Sequence, residues 1–275
     1  MLIDSHNSKS EQQNSILLSV VVPVYNEENT VEEALTRLFD SMRQSELSFE
    51  IIVIESKSTD QTFNILMSMK QVKDFLLIQE PFPSGKGSAV IKGINASKGR
   101  YISIFDADLE YLASDLPHLL KPLLNNEADF VLGTRHRKGE RIRNFGKFSA
   151  QATTLNFAHK ILTASINLLY NSNLTDPFTM HKVFRKSLFQ HTNFLSSGFD
   201  LDWELVLRAL RSNVRVLEIP ASYNARSFHE GKKIKFLRDG FAGLRALVIF
   251  RFINLESNRL FGRKLKGENE LAIRQ

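Results

Sequence analysis

The 275-residue chain contains no cysteine. Disulfide staples and thiolate metal sites are therefore excluded, and any metal must be held by oxygen or nitrogen ligands. The lack of thiols suits a reducing, cytoplasmic setting. No stretch of about eighteen residues is free of charge, so no membrane span is expected. The nearest candidate, 236–253, is broken by Arg238, Asp239, Arg245 and Arg251. No apolar signal-peptide core precedes the first apolar run. No internal repeat is evident, and no nucleic-acid-binding motif is found, so nucleic acid is not an expected partner. What is present is 43% apolar and 24% charged residues, enough for one large domain that buries its core without staples. The net charge is +6, with basic residues gathered late in the chain. That balance fits affinity for phosphates or an anionic membrane surface, and equally a solvated basic tail.

The first half alternates apolar runs with amphipathic stretches. Residues 1–15 are polar and expected to form a flexible tail. Ile16 to Val24 reads as a strand covered on both faces, followed by the turn Asn26-Glu27-Glu28-Asn29. Thr30 with Glu33 makes a candidate capping box, and Val31, Ala34, Leu35, Leu38, Phe39 and Met42 recur at helical spacing. Further strands are expected at 50–54, 75–79, 101–105 and 129–132. One helix should start at Ser58-Thr59-Asp60 and another span 86–97, stopped by Gly99. This order predicts an α/β protein with a parallel open sheet and right-handed crossovers, binding its ligand beyond the carboxyl ends of the strands. The second half reads as more helical, with helices over 145–169 and 199–210 and a strand over 214–219. The expected division is a domain over 16–230 and a basic amphipathic extension over 231–275.

Asp106 and Asp108 close the apolar run Tyr101-Ile102-Ser103-Ile104-Phe105. Two carboxylates at a sheet rim can share a hard divalent cation and its bound phosphates; taken alone, the pair reads more readily as a solvated turn. Four other segments stand at strand ends: Val21-Val22-Pro23-Val24-Tyr25-Asn26-Glu27-Glu28, Ile52-Val53-Ile54-Glu55-Ser56-Lys57-Ser58-Thr59-Asp60, Gly85-Lys86-Gly87-Ser88-Ala89 and Val131-Leu132-Gly133-Thr134-Arg135. With Asp106-Ala107-Asp108, and in this order, they resemble the family 2 glycosyltransferases across residues 17–230. Leu174-Thr175-Asp176-Pro177-Phe178, Val183-Phe184-Arg185 and the late Arg226…Gly231-Lys232-Lys233 are similar to the dolichol- and polyprenyl-phosphate sugar transferases in particular.

The resemblance implies a GT-A fold, a Rossmann-like nucleotide-sugar-binding sheet with a helical C-terminal part. It implies Mg²⁺ or Mn²⁺ at Asp106 and Asp108, with Glu110 as a third ligand. Pro23, Tyr25 and Glu27 would line the base and ribose pocket. Glu55, Ser56, Lys86 and Ala107 would complete the nucleotide-sugar site, and a closing loop would bring Arg226 and Lys232 to the diphosphate. Arg135 and Arg143 would grip an acceptor phosphate, which suits guanidinium forks. Asp176, with Asp202 and Glu204 as rivals, would orient the sugar or take a proton. Plainer readings stand beside these: acids complementing a helix dipole, a surface lysine, a solvated basic loop. Position 56 departs from the family, which usually has two adjacent aspartates here, the second touching the base. Glu55-Ser56 leaves uridine versus guanosine open. The Gly85-Lys86-Gly87-Ser88 turn lacks P-loop spacing.

The implied reaction is inverting transfer from a UDP- or GDP-linked sugar to a polyprenyl phosphate or to a glycan hydroxyl. A phosphate monoester, with a second pKa of about 6, is largely nucleophilic at pH 7 and needs little general base. A hydroxyl needs a carboxylate to take its proton. A non-catalytic nucleotide-sugar-binding protein is the alternative class; a dinucleotide-binding oxidoreductase is disfavoured because no G-x-G-x-x-G follows the first strand. Beyond residue 233, Ile234, Phe236, Leu237, Phe241, Leu244, Leu247, Val248 and Phe250 lie among basic residues. They suit a helix lying on a membrane surface, a helix packed on the protein's own core, or a face between two copies of the chain.

Overall fold

The computed structural model describes residues 16–136, 149–224, 247 and 249–252. The 1–15 tail, Arg143, Arg226, Lys232 and most of the 231–275 extension lie outside the described residues. Seven strands form one sheet: β1 (Leu18–Val24), β2 (Phe49–Glu55), β3 (Leu76–Gln79), β4 (Tyr101–Ile104), β5 (Phe130–Thr134), β6 (Lys182–Arg185) and β7 (Val216–Pro220), in the order β3-β2-β1-β4-β6-β5-β7. β1 to β4 run parallel as expected. β6 is antiparallel to both β4 and β5, so the sheet is mixed and the all-parallel expectation is corrected. Val183-Phe184-Arg185 was legible only as a motif, because a four-residue strand is too short to show a period. Its place is fixed by contacts distant in sequence: the Phe184 and Phe130 rings stack at 5.5 Å, and Arg185 Nε donates to Asp129 Oδ1 at 2.9 Å.

The helices are α1 (Val31–Gln44), α2 (Thr62–Lys70), α3 (Lys86–Ala96), α4 (Leu116–Leu124), α5 (Ser149–Tyr170) and α6 (Leu201–Arg211). β1 looks uniformly apolar because both its faces are covered. Leu18, Val20, Val22 and Val24 pack with Leu35, Leu38 and Met42 of α1 and Leu119 of α4. Val21 points the other way, toward Val90 and Ile94 of α3 and Leu205 of α6. Each such side chain, fully buried, contributes about 1.5–3 kcal/mol. α4 had no counterpart in the sequence reading; Pro117 in its first turn and Pro122 inside it obscure a nine-residue helix.

Two capping expectations are corrected. Thr30 makes no side-chain bond to the helix it precedes; its hydroxyl donates to Glu27 Oε2 at 2.9 Å, and Glu33 instead pairs with Arg37 one turn on. Gly99 does not terminate α3, which ends at Ala96 with Ser97 as its cap. It is small because the chain there presses on β1: a Cβ at Gly99 would lie 2.6 Å from the Ser19 backbone nitrogen. Gly99→Ala is therefore expected to cost about 1–3 kcal/mol, as overpacking does, and to lower the melting temperature by several degrees. An unchanged thermal melt would contradict this close approach.

The described end of the late apolar series packs on the protein itself. Leu247 and Phe250 are buried with Ile166 of α5 and Leu207 of α6. Tyr170 Oη donates to the Leu247 carbonyl at 3.0 Å and Arg211 Nη1 to the Phe250 carbonyl at 2.7 Å. Among the described residues no helix is long and apolar enough to cross a membrane.

Candidate active site

The loops after β1 and β2 are stitched side by side. Asn26 N–H donates to Ser58 Oγ at 3.0 Å, Thr59 N–H to Asn26 Oδ1 at 2.8 Å, Glu27 N–H to Thr62 Oγ1 at 2.8 Å and Gln61 N–H to Glu28 Oε2 at 2.9 Å. Ser58 is thus spent on the neighbouring loop, while Asp60 Oδ1 accepts from Thr62 N–H at 3.0 Å at the start of α2. Left-handed residues stand in the loops after β1, β2 and β4: Asn26 (φ 52°), Lys57 (φ 56°) and Leu109 (φ 62°). Non-glycine residues held there carry strain, which clusters where a loop must present groups to a ligand.

These loops enclose a cleft of about 580 Å³ lined by Pro23, Tyr25, Glu27, Ser56, Lys86, Asp106, Ala107, Asp108 and Glu110 from the sequence reading, together with Val24, Pro83, Gly85, Met180 and Phe199. Asp106 Oδ2 lies 2.7 Å from Lys86 Nζ. Lys86 opens α3 immediately after Gly85, whose φ of 96° disfavours other residues and whose Cβ would stand 2.6 Å from the Ser197 carbonyl oxygen. Burial by itself would lower the Lys86 pKa, but Asp106, Asp202 and Asp108 outweigh it and raise it, so the group is a cation. Its ammonium also sits 5.6 Å from the centre of the Phe199 ring. Asp108 Oδ1 accepts the Glu110 N–H at 3.0 Å, which closes the turn after the Asp-x-Asp pair. Among the described residues no three acidic or histidine side chains converge closely enough to hold a metal alone. The donor set nonetheless fits a hard cation, which takes its remaining oxygens from phosphate and water.

Glu110 is tied to the segment that follows β7. Its Oε2 accepts from Tyr223 Oη at 3.1 Å and its carbonyl from Asn224 N–H at 2.8 Å. Glu55, expected in the nucleotide pocket, is instead fully buried beneath it. It accepts from Ser58 N–H at 2.5 Å and from Gln79 Nε2 at 2.8 Å, which braces the loop that carries Ser56.

The three carboxylates proposed for sugar or proton chemistry are all paired with cations. Asp176 is fully buried and receives Arg135 through N–H, Nε and Nη2 at 2.9, 2.8 and 2.7 Å. Burial would raise its pKa, but the Arg135 guanidinium prevails and holds the carboxyl well below the usual carboxylate range. A carboxylate held this way is a weak base, which speaks against a proton-taking role. The Arg135 guanidinium is nearly buried on Asp176 and faces the Tyr223 ring at 5.2 Å, which speaks against its gripping an acceptor phosphate. Glu204 is likewise fully buried, accepting Ser196 N–H at 2.8 Å and Arg208 Nε at 2.6 Å. It steadies the turn whose Ser197 carbonyl receives Ser88 N–H of α3 at 2.9 Å. Asp202 acts on the Lys86 charge and accepts from the fully buried Lys182 Nζ at 2.9 Å. Burial outweighs Asp202 and lowers the Lys182 pKa.

Sequence reasoning missed Phe199, Met180, Tyr223, Lys182, Glu80 and His181. His181 lies edge-on to Phe105 and Tyr111, and neither ring nitrogen has a hydrogen-bond partner among the described residues. Burial pushes its pKa down to about 4, so it is neutral at pH 7. Lys182 and His181 sit in the missed strand or next to it. An acid directly after a strand and before a proline, as at Glu80, was the one available signal for that residue.

Residues 19–192 match the profile described as glycosyl transferase family 2. The chain is 26% identical over 254 residues to dolichol-phosphate mannosyltransferase of Pyrococcus furiosus, a match covering 92% of this chain and 65% of that protein. It is 31% identical over 124 residues to undecaprenyl-phosphate 4-deoxy-4-formamido-L-arabinose transferase of Proteus mirabilis, covering 44% of this chain and 37% of that one. The chain therefore spans less than two-thirds of either relative. Glucosyl-3-phosphoglycerate synthase from Mycobacterium tuberculosis, solved with Mn²⁺, UDP and phosphoglyceric acid, superposes with a TM-score of 0.64 at 17% identity, covering 89% of this chain and 81% of that one. At that identity the likeness speaks for the fold alone, and the fold is GT-A.

Proposed function

The chain belongs to glycosyl transferase family 2, and from that premise we propose that it transfers a sugar from a nucleoside diphosphate to a polyprenyl phosphate. The observation that carries the reading is the convergence of the loops after β1, β2 and β4 and the start of α3 on one cleft with Asp106, Asp108 and Lys86 together in it. Asp106 and Asp108, with Glu110 nearby, would hold Mg²⁺ or Mn²⁺ against the diphosphate. A divalent ion there would supply charge stabilisation to the departing nucleotide. Lys86 places a second positive charge beside the same aspartates, and Pro23, Tyr25 and Glu27 wall the nucleotide side. Catalysis rests on positioning and on charge stabilisation where the leaving diphosphate develops, with inversion as the acceptor attacks opposite the leaving group.

The acceptor class is favoured by the pairing of the candidate bases. Asp176, Asp202 and Glu204 are bonded to Arg135, Lys182 and Arg208 respectively. A phosphate acceptor needs no base, whereas a hydroxyl does. The dolichol- and undecaprenyl-phosphate relatives point the same way. The first test is thermal shift with Mn²⁺ and UDP, GDP, CDP or ADP. A ligand at a hundred times its Kd adds about 2.7 kcal/mol of stability, so one nucleotide should raise the melting temperature by several degrees. Transfer is then assayed with that donor on a short-chain polyprenyl phosphate and on a glycan. No shift with any nucleotide, or transfer to the glycan alone, would overturn the proposal.

A further inference from the structure

We infer that the nucleobase is read by Ser56 acting as a hydrogen-bond acceptor, with the buried Glu80 behind it fixing that polarity. The inference rests on the cleft being the nucleotide-sugar site. Ser56 lines the cleft, and its backbone is anchored by donation to the Val24 carbonyl at 2.9 Å. Its hydroxyl donates to Glu80 Oε2 at 2.6 Å. A serine hydroxyl has one hydrogen, and an ionised carboxylate can only accept. The hydrogen is therefore committed inward, and the Oγ lone pairs are what Ser56 has left to offer a ligand.

Glu80 is placed for this task. Its side chain is 0% exposed, and burying a carboxylate is costly unless it is paired. Lys92 Nζ supplies the pairing at Oε1, on the opposite oxygen from Ser56. Glu80 N–H also donates to the Glu55 carbonyl at 2.8 Å, which locks it beside the end of β2. A charge-assisted bond of this length strengthens the acceptor character of the hydroxyl that makes it. The aspartate missing from position 56 is thus replaced by an acid one strand over, acting through the serine.

An acceptor at this point selects a base edge that carries a ring N–H between carbonyl or amino neighbours. Uracil N3–H and guanine N1–H satisfy it. Cytosine N3 and adenine N1 present lone pairs to the same atom and are repelled.

Glu80→Gln tests the polarity without removing volume. Lys92 keeps the amide oxygen on its side, so the amide nitrogen faces Ser56 and donates. Ser56 Oγ must then accept from it and turn its own hydrogen into the cleft. Dissociation constants for UDP, GDP, CDP and ADP are measured by calorimetry on the full chain with Mn²⁺. The wild type is expected to prefer UDP over CDP, or GDP over ADP, by about tenfold or more, and the arm that responds identifies the base. Glu80→Gln should shrink that ratio by about tenfold. Ser56→Ala should shrink it too, and adding Ser56→Asp to Glu80→Gln should restore it. A uniform weakening of all four nucleotides, or an unchanged ratio in folded Glu80→Gln, overturns the inference. If the wild type binds none of the four, the functional reading falls and takes the inference with it.

Discussion

Asp108→Asn is expected to reduce sugar transfer by about a thousandfold, roughly 4 kcal/mol of transition-state stabilisation. The substitution keeps the side-chain oxygen that accepts Glu110 N–H, so the turn after β4 should persist and the ligand-free melt should match wild type. What changes is the charge available to hold a hard cation against a diphosphate. Carboxamides bind Mg²⁺ and Mn²⁺ far more weakly than carboxylates do. Calorimetry should therefore show UDP or GDP binding that no longer tightens when Mn²⁺ is added, in parallel with lost turnover. Asp106→Asn is a less clean probe, since it also strips the counter-ion from Lys86 at 2.7 Å. Retention of transfer within tenfold of wild type in Asp108→Asn, still stimulated by Mn²⁺, would remove the metal from the mechanism. Turnover absent from wild type, with Mn²⁺-dependent nucleotide binding intact, would place the chain in the non-catalytic binding class.

The site's floor was legible because it follows from local pattern. Apolar runs ending in Asp106-Ala107-Asp108, or in Tyr25-Asn26-Glu27, put their polar ends at one rim once the strands run parallel, and β1, β2 and β4 do. The roles of individual charges were not legible, because a buried ion pair and a catalytic residue look alike in one dimension. Arg135 and Asp176 are 41 positions apart, and nothing local says that each is the other's partner. Glu204 stood at the head of a helix, where acids are common for dipole reasons. Its actual work, holding the 195–196 backbone N–H groups, depends on a loop whose path the sequence does not give. Glu80 is illegible for the converse reason, since its effect on the cleft runs through Ser56.

Asp176→Ala is expected to cost about 3–5 kcal/mol, because it leaves the Arg135 guanidinium buried with no counter-charge. For a chain of this size the melting temperature should fall by on the order of 10 °C. Asp176→Asn keeps the shape and some of the hydrogen bonds and should fall by less. The pH dependence follows from the direction of the shift. The folded-state pKa of Asp176 is depressed, while an unfolded aspartate titrates near about 3.9. The stabilisation is therefore complete above about pH 5 and is lost as pH falls through 4 toward the depressed folded value. Thermal melts from pH 7 to pH 3 should show the gap between wild type and Asp176→Asn widest at pH 7 and narrowing in acid. Asp129, where burial is outweighed by the bonds to Arg215 and Arg185 so that its pKa is also lowered, is common to both proteins and cancels from the difference. Activity of Asp176→Asn should track the folded fraction equally with phosphate and hydroxyl acceptors. A selective loss with a hydroxyl acceptor, at an unchanged melting temperature, would return Asp176 to the role of base, and Arg135 would then have to release it before each turnover.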